Sequence, residues 1–238
     1  MKRAMSILLI AAAAGVTSAD MPDKFVEYVE SSGVLEPLGS VEGLLEGLPL
    51  TIGPGGFVVD TAGRNASLGN FTVTSGGELV KTGEGTLAMT SLPALEKISL
   101  ANGALTVAAE AANLDALDLA TGTRCDLGGG ALACGVLSGS GTVANGAVAV
   151  AGAISVKVDE PLTFSAAPLT LTGARVVIAD LENMPVSGRE PVVVAVSDRP
   201  MTGHVRSAVP EWAARMSQRA DGSYALELVR SSFSIRIR

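Results

Sequence analysis

Histidine is nearly absent from this chain: there is one in 238 residues, beside two cysteines and an aromatic content of 3%. A structural zinc site takes about four ligands, usually from cysteine and histidine, so a zinc module is excluded at the outset. Few aromatics and a formal charge of −7 leave neither a stacking platform nor a basic face for nucleic acid. Charged residues make up only 17% against 47% hydrophobic, which excludes a disordered chain. The 28 glycines follow no three-residue period, which excludes collagen. Also missing is any uninterrupted apolar run near the ~20 residues a membrane-spanning helix needs.

What is present begins with an export pattern. Lys2 and Arg3 precede an apolar stretch from Ile7 to Val16, and Thr17, Ser18 and Ala19 end it ahead of a polar segment. A basic start, a short apolar core and a small-residue end together predict a signal peptide over 1–19, cleaved after Ala19. The mature chain is then expected to be secreted or held at the cell surface, with no transmembrane span. In that oxidising setting Cys125 and Cys134 are expected to form a disulfide, because Gly128, Gly129 and Gly130 between them can reverse the chain.

Composition shifts twice along the chain. Residues 20–50 hold seven acids against one lysine, the stretch 51–174 is poor in charge, and residues 175–238 carry nine of the twelve arginines. In the middle zone short apolar runs such as Phe71-Thr-Val73, Glu78-Leu-Val-Lys81, Ala104-Leu-Thr-Val107 and Ile154-Ser-Val156 alternate with glycine or Asn-Gly turns. Those runs predict strands.

The strands also recur. Leu95, Ile98, Leu100 and Gly103 reappear 19 residues later as Leu114, Leu117, Leu119 and Gly122. A looser third copy is read at Leu132, Leu137 and Gly139, displaced by 18, 18 and 17 residues, with an echo at Leu169, Leu171 and Gly173. A period near 20 in strand-rich sequence predicts a solenoid, whose coils bury their apolar faces only by stacking on one another. Leucine-rich repeats share the period but need a helical return, and the alanine- and glycine-rich returns here fit a single-stranded parallel β-helix better. The recurrence places Ile98 beside Leu117 and Leu100 beside Leu119.

Gly77-Glu-Leu-Val-Lys81-Thr-Gly83-Glu-Gly85-Thr-Leu87, followed by Asn102-Gly103-Ala-Leu105-Thr-Val107, resembles the passenger-associated transport repeat of bacterial autotransporter-type surface proteins. The departure lies at Ser91-Leu-Pro-Ala-Leu-Glu96, where the family carries an Asn-Thr-Tyr stretch. The resemblance implies a right-handed β-helix outside the cytoplasm, without catalytic residues. The expected organisation is a signal peptide at 1–19, an N-terminal cap over 20–55, repeats over 56–200, and a C-terminal cap with a hairpin over 201–238. Phe233, Ile235 and Ile237 are read as a final half-buried strand.

Chemical motifs are sparse. The runs Gly83–Ala88 and Gly139–Ala144 match G-x-G-x-x-A by letter, but neither precedes a helix able to receive a pyrophosphate. His204 lacks any G-x-S-x-G partner and is read as a loop residue. Paired acids are the remaining enzymatic route: Asp115 with Asp118, Asp159 with Glu160, and Asp180 with Glu182, the last two facing one way if they share a strand. Threonines at 72, 74, 121, 123, 170 and 172 read as ordinary strand-surface residues. Asn65 and Asn70 head formal glycosylation sequons.

The sequence therefore predicts a secreted or surface-displayed structural or adhesive module with no cofactor, metal or catalytic residue. Its expected partners are extracellular or cell-surface carbohydrate or protein. The alternative is a carbohydrate-active β-helix enzyme of the lyase or glycosidase type. A groove that gathers carboxylates and basic groups on one face would favour the alternative.

Overall fold

The computed structural model describes residues 28–231, apart from 32–33, 38–40, 46–49, 53–56, 62, 64, 69–70, 74–76, 91–94, 109 and 186–189. The predicted signal peptide and the strand expected around Phe233, Ile235 and Ile237 lie outside the described residues. The chain is built from strands. The first seven are β1 (Tyr28–Ser31), β2 (Val34–Pro37), β3 (Val41–Leu45), β4 (Leu50–Ile52), β5 (Phe57–Asp60), β6 (Ala66–Leu68) and β7 (Phe71–Val73). The repeat region holds β8 (Glu78–Thr82), β9 (Thr86–Met89), β10 (Lys97–Leu100), β11 (Ala104–Val107), β12 (Ala111–Leu119), β13 (Arg124–Asp126), β14 (Ala131–Gly139) and β15 (Thr142–Ala144). It continues through β16 (Ala147–Val156), β17 (Leu162–Ser165) and β18 (Leu169–Ile178) to β19 (Val192–Ser197), β20 (Met201–Ser207), β21 (Trp212–Gln218) and β22 (Tyr224–Arg230).

These strands wind into a parallel β-solenoid. From β8 onward, even-numbered strands up to β20 stack in one sheet, A, while odd-numbered strands β9 to β19 stack in a second, B. β2 and β5 extend sheet A, and β3 and β6 extend sheet B, in the same parallel sense. At the far end β22 joins β19 antiparallel and β21 joins β22, so a hairpin lies on the last strand of sheet B. Asp221 shapes its turn by accepting hydrogen bonds from the Ser223 amide (2.9 Å) and hydroxyl (2.6 Å).

Period-two alternation explains why each segment is a strand and which face it buries. Leu79, Ile98, Leu117, Leu137, Ile154 and Val176 occupy one inward column of sheet A, one per coil, and all are fully buried. Burying each such side chain contributes about 1.5–3 kcal/mol, so these columns dominate the stability. Ile98 pairs with Leu117 and Leu100 with Leu119, as the recurrence predicts.

Three expectations need correction. The third repeat is offset by 20 residues rather than 18: Leu137 stacks on Leu117, Gly139 on Leu119, and Cys134 on Leu114. A slip of two preserves which side chains face inward, so apolar pattern alone cannot distinguish the two registers. His204 lies within β20, exposed on its outer face, because the strand runs on through Gly203. Cys125 and Cys134 are both free and buried. The glycines between them form a coil corner and not a hairpin, leaving Cys125 in sheet B between Leu105 and Val143, and Cys134 in sheet A between Leu114 and Val150.

Candidate functional site

Two features of the solenoid gather polar chemistry, and both follow from strand register. The first is a set of carboxylates that reach between coils. Glu78 accepts from Ser99 one coil on (3.0 Å) and pairs with Lys97 (2.9 Å), and Asp118 accepts from Ser138 (2.8 Å). Asp126 takes Arg124, the Gly128 amide and, from the next coil, Asn145 at 2.7 Å. Asp180 receives the Val158 amide (2.8 Å), and Asp198 receives the Ala166 amide on both oxygens (2.8 and 3.0 Å).

Electrostatics agree with these roles. The hydrogen bond from Lys97 leads in holding the Glu78 carboxyl below the usual carboxylate range, with Ser99 assisting against the cost of burial. Partial burial works against ionisation of Asp126, but Gly128, Arg124 and Asn145 outweigh it and keep that carboxyl low too. Asn183, then the Val158 amide, do the same for Asp180. A carboxylate held ionised by such donors is suited to clamping and unsuited to delivering a proton as a general acid near neutral pH.

The sequence pairs of acids are separated by the fold. Asp115 lines a shallow groove of about 430 Å³ with Glu96, Asn113 and the small residues Ala133, Gly135 and Ala149, at the bend of sheet A. Asp118 instead lines a corner groove of about 360 Å³ with Ser99, Thr121, Ser140, Lys157 and Glu160. There Thr121 and Ser140 hydroxyls lie 2.7 Å apart, and each reaches Glu160 at 3.4 Å. Asp159, at φ +63° in the tight turn before Glu160, is exposed. Asp180 precedes a 3-10 turn, Leu181–Asn183, so it and Glu182 do not share a strand face as expected.

The second feature escaped the sequence reading. Lys81 sits in an inward column of sheet A between Val59 and Leu100, and its side chain is fully buried. Its ammonium donates to the Thr61 hydroxyl (2.9 Å), the Gly83 carbonyl and the Asn102 carbonyl (3.0 Å), contacts drawn from three successive coils. Thr61 in turn donates to the Thr82 carbonyl at 3.2 Å. A Cβ on Gly103, whose φ is +70°, would lie 2.5 Å from the Lys81 Nζ and 2.7 Å from the Gly83 oxygen, so only glycine fits. Lys81, Gly83, Asn102 and Gly103 of the repeat-like motif thus form one knot. The available signal was alternation: Leu79 faces inward, so Lys81, two residues on, must as well.

Burial is the largest influence on Lys81 and lowers its pKa to about 8, against the pull of Asp60 and Glu84. Burial likewise pushes the thiols of Cys125 and Cys134 up to about 12, which suppresses the reactive thiolate. Asn65 uses its side-chain oxygen to accept the Thr86 amide at 3.2 Å, while Asn70 lies outside the described residues. Both G-x-G-x-x-A runs fall at corners between strands, β8 to β9 and β14 to β15.

Among the described residues no group of three or more histidine, cysteine or acidic side chains is placed to hold a metal ion. Nor, among them, is any helix long and apolar enough to cross a membrane. Compared with known proteins, the chain matches no family model, no curated protein and no solved structure.

Proposed function

We propose that this protein is a non-catalytic structural or adhesive module, exported to the cell exterior, whose rigid solenoid displays the outer face of sheet A. The observation that carries the reading is the employment of surface carboxylates as clamps between coils. Glu78, Asp118, Asp126, Asp180 and Asp198 each accept hydrogen bonds from a neighbouring coil. Side chains spent on stiffening a scaffold suit a surface whose work is shape and presentation. The autotransporter-like motif supports the same reading, since its lysine, asparagine and glycines build the Lys81 knot, a tie between coils.

Export is tested by expressing the full chain with a C-terminal tag and adding external protease to intact cells. Tag loss from whole cells, together with an intact mass beginning at Asp20, is the expected result. A full-length product protected inside the cell would overturn the export part of the proposal.

The corner groove favours one second reading, a carbohydrate-active enzyme, because Asp118, Glu160 and Lys157 converge there beside three hydroxyl groups. Incubating the protein with a panel of acidic and neutral polysaccharides decides between the two. Release of new reducing ends or unsaturated products, abolished by Asp118→Asn and Glu160→Gln, would replace the display role with catalysis.

A further inference from the structure

One outward column of sheet A reads Glu78, Lys97, Ala116, Val136, Ala153, Arg175 and Arg206, each a register neighbour of the next. At its first end the column sets opposite charges side by side, and Glu78 and Lys97 form an ion pair at 2.9 Å. At its last end it sets two arginines side by side. Both are exposed, and among the described residues neither side chain forms an ion pair or hydrogen bond. Like charges at adjacent positions of a ladder destabilise a sheet. Across a register shift between Thr172 and Ala174, the same strands set Thr172 beside His204 and Thr170 beside Thr202, whose hydroxyls lie 3.3 Å apart.

We infer that Arg175, Arg206 and His204 form a binding site for a tetrahedral oxyanion, a sulfate or phosphate ester carried on an extended polysaccharide. Two arginines rooted on neighbouring strands, whose backbones lie about 4.8 Å apart, can bring their guanidiniums to the oxygens of one such group or of two successive ones. His204 and the hydroxyls of Thr170, Thr172 and Thr202 add donors on the same rigid surface. Strand pairing on either side of the register shift between Thr172 and Ala174 holds the arginines and the His204 group in place before a ligand arrives, which lowers the ordering cost of binding. A polysaccharide suits the site better than nucleic acid, since the chain has only 3% aromatic residues on which bases could stack. The inference goes beyond the display role and does not depend on where the protein works.

The test is a titration of the full chain with fluorescent dextran sulfate, fluorescent unmodified dextran and single-stranded DNA at fixed salt. Wild-type protein is expected to bind dextran sulfate at least tenfold more tightly than either of the others. The variant Arg175→Gln/Arg206→Gln is expected to lose at least tenfold in that affinity while melting no lower than wild type, because among the described residues neither side chain has a polar partner to lose and the like-charge repulsion is relieved. Inorganic sulfate and phosphate as competitors report which ester the site prefers, and displacement by either supports the site. Failure of wild type to bind dextran sulfate, equal binding of plain dextran, tighter binding of DNA, or unchanged affinity in the folded double variant would each overturn it.

Discussion

The ammonium of Lys81 meets the main-chain carbonyl of Asn102 at 3.0 Å across a coil boundary, although Lys81 is rooted in the same inward column as Leu100. The stem of the side chain fills apolar space and its head leaves the column to tie a corner. One residue thereby serves the core and the stacking of coils together.

Removing that head should be costly. Lys81→Met keeps the apolar stem but leaves the Gly83 and Asn102 carbonyls without their donor, an expected loss of about 1–3 kcal/mol. Gly103→Ala should destabilise comparably, because it forces a Cβ into the knot at positive φ. Denaturant unfolding of both variants checks this, and two midpoints equal to that of wild type would show the knot to be dispensable.

The lowered pKa of Lys81 has a definite sign for stability. Its folded value of about 8 lies below the ordinary 10.5, so between those pH values the unfolded chain holds the extra proton. Stability attributable to this residue therefore rises with pH across that window. The difference in unfolding free energy between wild type and Lys81→Met is expected to grow in favour of wild type by up to about 3 kcal/mol from pH 8 to 10.5. Taking the difference cancels most other titrations, and a flat difference would mean the ammonium is not desolvated.

Two free thiols should be countable. Unreduced protein is expected to take up about two labels per chain once denatured, and far fewer while folded, because both sulfurs are buried and their pKa values stand near 12. Reduction should leave the melting temperature unchanged. Zero labels in the denatured, unreduced chain would restore the disulfide.

Register can be read from a pair of neighbouring substitutions. Leu119→Asp places a charge in a fully buried column and should cost several kcal/mol. Asp118→Asn changes only the clamp to Ser138, which an amide oxygen can still satisfy, and should cost less than about 1 kcal/mol. Equal losses in thermal melting would contradict the assigned faces.

Much of this architecture was legible before any coordinates. Leu95 to Gly103 repeating as Leu114 to Gly122 is a local pattern, and the Ile98–Leu117 and Leu100–Leu119 stacking follows from it. The surface clamps were less legible. Spacing pairs Asp118 with Asp115, three residues away, whereas the solenoid gives it Ser138 and a groove shared with Glu160. Sequence distance does not measure distance between coils, since residues about 20 apart become neighbours and residues three apart can face different grooves.

By itself, then, the sequence determined what alternation and spacing control: strands in place of helices, a coil of about 20 residues, and an aliphatic interior. Tertiary structure alone decided three further matters. It chose between registers two residues apart, because both keep the same side chains inward. It kept Cys125 and Cys134 apart by assigning them to different sheets. It also brought Arg175 beside Arg206, 31 residues further along, because the insertion carrying the 3-10 turn lengthens the last coil without breaking the column.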